Sequence, residues 1–332
     1  MFHFIRSTLA PQAYHGKGKK PPFFEGWYYK LVDSTTQHRI AVIPGLFLGE
    51  TPESTQAFVQ FFEGQRGEVT LFTFPLKAFQ DTPYQLDFTI GDNRFTDSSI
   101  HLNLKSQRLQ VSGSLTFKGV TPWPITLRSP GIMGWYAWAP FMQCYHGVVS
   151  LDHALVGKLQ INEREIDFTG GRGYIEKDWG RAFPSAWIWV QSNHFSTVGT
   201  SLTASVAIIP WIRGAFPGFI IGLWHQNHLY RFATYTGAKI TRLELREKEV
   251  LWIVQDKTHR LEMQARGSDK AGLLHAPTPQ GMTRRIAETL DGEVQVRLFS
   301  NGKLVLEDLG NHAGMEMVGN LEELIRMWES EG

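Results

Sequence analysis

The chain has 332 residues, long for a single core and natural for two domains, and its 33 Lys+Arg against 32 Asp+Glu leave a formal net charge of +1. That balance supplies no global field for nucleic acid or an anionic surface. The single cysteine, Cys144, excludes an intramolecular disulfide framework and any multi-cysteine metal site.

In chain order, the first 22 residues lack the long apolar run and cleavage pattern of a secretory signal, so they are expected to stay on the mature chain. A total of 22 Phe, 11 Trp and 9 Tyr, many beside Gly or Pro, favours strands. Period-two alternation predicts strands over 26–32, 39–48, 85–90, 100–104, 109–117, 145–151 and 155–161. It continues over 186–195, 201–209, 219–223, 229–235, 240–246, 250–257, 259–265, 292–299 and 303–309. So many short strands at close spacing read as antiparallel barrels or sandwiches. The most apolar stretch, Phe216 to Trp224, is about half the length of a spanning helix and contains Pro217, so crossing a bilayer is not expected. Helical signal is concentrated at the end, where Asn320 caps a helix with Glu323 at the capping-box position and with Leu321, Leu324, Ile325 and Trp328 on one face. The Pro-rich stretch from Thr121 to Pro140 breaks the strand rhythm and places the domain junction after it, giving domains 1–142 and 143–332.

Strand parity puts Glu25 on one face with Phe23, Trp27 and Tyr29. Inside a barrel, desolvation would keep Glu25 a neutral proton donor; at the barrel mouth it would instead pair with an arginine or a backbone amide. In GGRGYIEKDWGRAFP, an extended 174–178 segment puts Tyr174, Glu176 and Asp178 on one face, with the carboxylates about 7 Å apart. These two groups either share a proton in an apolar pocket or join Arg172, Lys177 and Arg181 in an ion-paired clasp. Downstream, Trp187, Trp189, Gln191, Asn193 and Phe195 share a face, either as a ligand wall with two amides or as ordinary core. His225 and His228 stand three apart across a turn without a third ligand, so no metal site is expected. No dinucleotide fingerprint, phosphate loop or nucleophile elbow is present, which excludes nicotinamide, nucleotide and serine-hydrolase chemistry.

PFFEGWYYKLV at 22–32, GWYAWAPFMQCYHGVVS at 134–150, YIEKDWGRAFPSAWIWVQSNHF at 174–195 and LLHAPTPQGM at 273–282 resemble, in order, segments of the tocopherol cyclase family. The resemblance implies an all-β protein of two lipocalin-like antiparallel barrel domains with a short C-terminal helix. It also implies a reaction in which a prenylated hydroquinone closes to a chromanol-type ring, without metal or other cofactor. Protonating the alkene needs an acid, aromatic faces around the cation and exclusion of water. The candidates are Glu176, Glu25 and Asp178 as acids, with Trp27, Tyr29, Tyr174, Trp179, Trp187, Trp189, Gln191 and Asn193 lining the substrate. The family pattern carries Asn where this chain has Asp178. A carrier of hydrophobic molecules and an isoprenoid hydratase are the alternatives. The partner expected is a greasy small molecule and not nucleic acid, in a cytoplasmic setting with peripheral membrane contact left open; nothing in the sequence sets an oligomeric state.

Overall fold

The computed structural model describes residues 2–278 and 281–331; Pro279 and Gln280, inside the 273–282 segment, lie outside them. The described residues form two antiparallel sheets and a short C-terminal helix, the all-β class that the alternation predicts. The first sheet has twelve strands. In space it runs from Glu68–Phe74 through Gln56–Glu63, Arg39–Leu48, Phe23–Val32, Arg172–Gly180, Cys144–Ile161, Gln110–Lys118, Ser99–Lys105, Asn93–Thr96 and Asp87–Ile90 to Phe79–Asp81, with Arg164–Asp167 hairpinned onto Cys144–Ile161. Two meanders thus meet on Arg172–Gly180, which pairs with Phe23–Val32 on one side and Cys144–Ile161 on the other. The second sheet has ten strands. It runs from His228–Ala233 through Gly214–His225, Ser201–Trp211, Trp187–Ser192, Lys303–Val318, Gly281–Ser300, His259–Arg266 and Glu249–Gln255 to Lys239–Arg246, with Ala271–Thr278 paired to Gly281–Ser300.

The chain forms two compact units, residues 1–183 with 273–285, and residues 184–272 with 286–332. The boundary expected after residue 142 falls inside the first unit. Cys144–Ile161 is a single 18-residue strand bonded on both sides within the first sheet, so the Pro-rich stretch before it is an excursion between neighbouring strands. Within the first unit, Trp27, Tyr29, Leu31, Val42, Phe61, Phe88, Phe95 and Leu115 fill one core at alternate strand positions. In the second, Ile188, Val190, Leu202, Val206, Leu223, Trp252 and Leu298 fill the other. The C-terminal helix Leu321–Glu331 starts at Asn320, whose side chain accepts from the Glu323 amide at 3.2 Å, and buries Leu324 against the second core with Leu321, Ile325 and Trp328 beside it.

One missed strand has a physical cause. Gln56–Glu63 was not expected as a strand because both of its faces are buried, which erases period two. Phe2–Thr8 is a helix that no sequence signal announces. His225 is buried and bonded to Thr200 at 3.0 Å, while His228 across the turn is exposed.

The pairing of Gln110–Lys118 with Cys144–Ile161 needs glycine at two places. Gly113 (φ +130°) and Gly157 (φ +128°) each lie so close to the opposite strand that a Cβ would stand 2.4 Å from a backbone oxygen. Gly157→Ala is therefore expected to destabilise the fold by about 1–3 kcal/mol, read as a lower denaturation midpoint in urea; an unchanged midpoint would show that the strand can shift freely.

Candidate functional site

Arg172–Gly180 is the central element, because successive side chains along it serve opposite faces of the first sheet. Ile175, Lys177 and Trp179 point into the first core. Tyr174, Glu176 and Asp178 occupy the other face.

On the core side, Lys177 lies opposite Trp27, and Glu25 opposite Trp179. Lys177 Nζ donates to Glu25 Oε1 and to the Ala13 carbonyl, and sits 4.5 and 4.6 Å from the ring centroids of Trp27 and Trp179. The His15 backbone amide donates to both Glu25 oxygens, at 3.0 and 2.9 Å, and its ring stacks on Trp179 at 4.4 Å. Burial would push the Glu25 carboxyl up, but Lys177 and His15 outweigh it and hold the group below its ordinary value. Burial brings Lys177 down to about 8 against the pull of Glu25, so ammonium and carboxylate coexist at neutral pH. Glu25 is consequently an ionised structural partner and not the neutral acid that ring-flanked burial suggests. Trp27 and Tyr29 are fully buried in the same core, Trp27 packed 4.2 Å from Phe88 and bonded to the Gln12 carbonyl, Tyr29 bonded to the Thr96 carbonyl. Trp179 joins them there. These three rings, expected to line a substrate, are spent on packing the first unit.

The opposite face carries the concentrated chemistry. Tyr174 Oη donates to Glu176 Oε2 at 2.6 Å, and Glu176 is 5 % exposed. From the neighbouring strand His146 stands directly opposite Asp178, its Nδ1 2.9 Å from Asp178 Oδ1 and its Nε2 3.7 Å from Glu176 Oε2. Burial would lower the His146 pKa, but Asp178 and then Glu176 overcome it and raise the imidazole to about 9. On the other flank, Phe23–Val32 sets Tyr28 opposite Glu176 and Gly26 opposite Asp178; a Cβ on Gly26 would sit in ordinary contact with the Pro44 carbonyl at 3.8 Å. His146, Glu176 and Asp178 lie within 4.8 Å of one another, one nitrogen and two carboxylates that could also serve a divalent cation, although Asp178 engages Nδ1 in the geometry described.

The structure thus brings Tyr174, Glu176 and Asp178 together as parity predicts, and separates them from Glu25, Trp27, Tyr29 and Trp179 by the thickness of the sheet. The even-numbered Tyr28 is the aromatic neighbour of the acids on their own face. His146 was missed because only strand register brings it to Asp178, 32 positions away; no spacing rule covers that.

In the second unit, Ile188 and Val190 enter the core, and Trp187, Trp189 and Gln191 take the opposite face, where all three are buried. Trp187 Nε1 donates to Glu316 Oε2 at 2.6 Å. Asn193 is buried beside His194, with 3.1 Å between its Oδ1 and the ring Nδ1. Phe195 leaves this wall for the second core, because the strand ends at Ser192, whose hydroxyl bonds the Asn311 carbonyl and the His194 amide.

The family model described as tocopherol cyclase-like matches residues 84–319. The chain is similar to a chloroplastic tocopherol cyclase of Zea mays, 24 % identical over 384 positions that span 95 % of this chain and 78 % of the relative. It is also similar to a probable chloroplastic tocopherol cyclase of Oryza sativa subsp. japonica, at 23 % identity over 95 % and 79 % of the two chains. Among solved structures, CghA with Sch210972 aligns at a TM-score of 0.55 and 12 % identity, covering 90 % of this chain and 89 % of that one. A putative AttH from Nitrosomonas europaea aligns at 0.51 and 13 %, covering 93 % and 95 %. At such identities the solved structures attest the lipocalin-like fold alone.

Removing one partner of the buried pair leaves an isolated charge in the core. Glu25→Gln is expected to cost about 3–5 kcal/mol in thermal denaturation, and Glu25→Gln combined with Lys177→Met to recover most of it. A Glu25→Gln protein as stable as the original would remove the ion pair from this account.

Proposed function

The chain belongs to the tocopherol cyclase-like family, and from that premise we propose that it is an acid-catalysed cyclase acting on a prenylated hydroquinone or a related isoprenoid phenol, with Glu176 as the proton donor. The observation that carries this reading is the convergence of Tyr174 and His146 on one buried carboxyl group, with Asp178 holding His146, on the sheet face opposite the structural ion pair.

The Glu176 carboxyl proton adds to the less substituted carbon of the prenyl double bond, leaving a tertiary carbocation. A phenolic oxygen donates a lone pair to that cation and closes the ring, and its proton returns to the carboxylate. Mass is unchanged and no electrons are exchanged, so the net reaction is an isomerisation. As the proton leaves, negative charge develops on Glu176, and the Tyr174 hydroxyl and the His146 imidazolium both face the oxygen that carries it. Asp178 acts through His146: it holds the ring charged and aims Nε2 at the acid. The faces of Tyr28 and Tyr174, next to Glu176 on the same sheet face, suit a nearby cation.

Glu176→Gln is expected to lower turnover of prenylated hydroquinones by about 10²- to 10⁴-fold, scored as isomeric products of shifted retention, while binding of the hydrophobic substrate persists. Full turnover in this variant would remove Glu176 from the acid role, and absence of turnover by the unaltered protein across a broad substrate panel would favour a carrier.

The pH profile gives a separate check. The folded His146 pKa lies above the ordinary value of 6.5, so the imidazolium is present throughout the neutral range and is lost as pH rises through about 9. kcat/KM is expected to fall on that alkaline limb, and Asp178→Asn to move the limb towards neutrality. A limb that stays in place in Asp178→Asn would detach His146 from catalysis.

A further inference from the structure

One surface of the first unit is apolar where it should be polar, and it has no part in the acid cluster. The helix Phe2–Thr8 and the Pro-rich segment 119–142 touch: the rings of Phe4 and Trp138 are 5.9 Å apart, and a Cβ on Gly131 would stand 3.3 Å from the Pro11 ring. Trp138 Nε1 donates to the Leu127 carbonyl at 3.0 Å, which fixes the segment's turn beneath the helix side. Across these two pieces Phe4 is 46 % exposed, Leu127 69 %, Trp135 48 % and Phe141 54 %, with Ile5 and Ile125 exposed beside them. A soluble monomer rarely gathers so many large exposed apolar side chains over two adjoining segments without a use for them.

Charge decides what that use is. Residues 1–22 and 119–142 contain no Asp or Glu, in a chain whose acids and bases otherwise balance, yet they carry Arg6, Lys17, Lys19, Lys20 and Arg128. All five are exposed. Arg6 lies over the Tyr84 ring at 4.2 Å, and Lys17 feels Asp81, leaving Lys19, Lys20 and Arg128 as the plainest candidates for an outside partner. Exposed Trp and Phe on two touching segments that carry cations and no anions match the boundary of a bilayer with anionic headgroups, where rings sit at headgroup depth and ammonium and guanidinium groups meet phosphates. The mixed charge of an ordinary protein partner would find no cation-binding acids here. We infer that this surface is a peripheral docking site for an anionic lipid membrane, seating the chain on the phase in which a prenylated molecule dissolves.

The full chain is sedimented with vesicles of phosphatidylcholine alone and of an equimolar mixture with phosphatidylglycerol. Binding is expected to the mixed vesicles, to weaken as salt rises, and to be feeble with the neutral ones. Lys20→Ala and Arg128→Ala should each weaken binding about fivefold, and Leu127→Asp should weaken it more, while Val198→Asp, at a residue 74 % exposed in the other unit, leaves it unchanged. Melting temperatures identify any variant that fails to fold, in which case the two basic-residue variants carry the test. Three results would overturn the inference: no binding to either vesicle, binding that none of the surface variants alters, or a vesicle-free dimer of the unaltered chain that Leu127→Asp converts to monomer. Because vesicle binding is read without turnover, its failure leaves the proposed chemistry standing, and the reverse also holds.

Discussion

The ion pair between Lys177 and Glu25 constrains the register of the seam on which the rest of the first unit is built. Both groups are fully buried, so each tolerates its position only while the other is within bonding distance. Sliding Arg172–Gly180 by one residue against Phe23–Val32 would turn Lys177 out of the core and swing Glu176 into it. The penalty for that slip is Glu25 left in the core beside Trp27 without its cation. The same two strands therefore cannot lose the arrangement of Tyr174, Glu176 and Asp178 without also breaking the pair on the reverse side. Residues 10–16 add to the constraint, since the Ala13 carbonyl and the His15 amide complete the hydrogen bonding of a cluster that strands alone leave unfinished.

The two faces of that seam show how one sheet keeps two carboxylate environments distinct. On the core side, a full positive charge lies against Glu25, and His15 is pushed down by burial and by Lys177, so the cluster reaches neutrality as one ammonium and one carboxylate. On the opposite side, His146 and Asp178 form a cation–anion pair of their own. Glu176 stands beside that pair, its Oε2 3.7 Å from His146 Nε2 and bonded by the Tyr174 hydroxyl. A carboxylate held by a lysine ammonium and a backbone amide is in a different environment from one that faces an imidazole already paired to a second carboxylate.

Alternation made most strands legible because a half-buried strand writes its burial into every second residue. It failed where both faces are covered, as in Gln56–Glu63, and it placed the domain boundary too early because a Pro-rich excursion inside one unit resembles a linker. Parity correctly grouped Glu25 with Trp27 and Tyr29, and Tyr174 with Glu176 and Asp178. What it could not supply was the pairing between distant strands, which decides whether two such groups face each other or stand on opposite sides. Glu25 looked like an acid because rings flank it in sequence; Lys177, 152 positions away, makes it a counter-ion. His146 was hidden for the same reason, and Phe195 followed a bend set by the Ser192 hydroxyl.

Asp178 stands where the resembled family segment would place an Asn, and the geometry shows what a carboxylate does there that an amide would not. An amide at 178 could still accept a hydrogen bond from His146 Nδ1, so the ring would keep its orientation across the strand pair. It would supply no negative charge, and the carboxylate is the foremost of the groups that hold the buried imidazole protonated. With Asn, the burden of charging the ring would pass to Glu176, which would then pair with the imidazole as an anion and surrender the proton it delivers in the proposed chemistry. With Asp, the charge on His146 has its first counter-ion in Asp178, and Glu176 adds the smaller share. Asp178 is the larger source of the charge on His146, so in the proposed chemistry the imidazole charge and the acid proton rest mainly on different carboxyl groups.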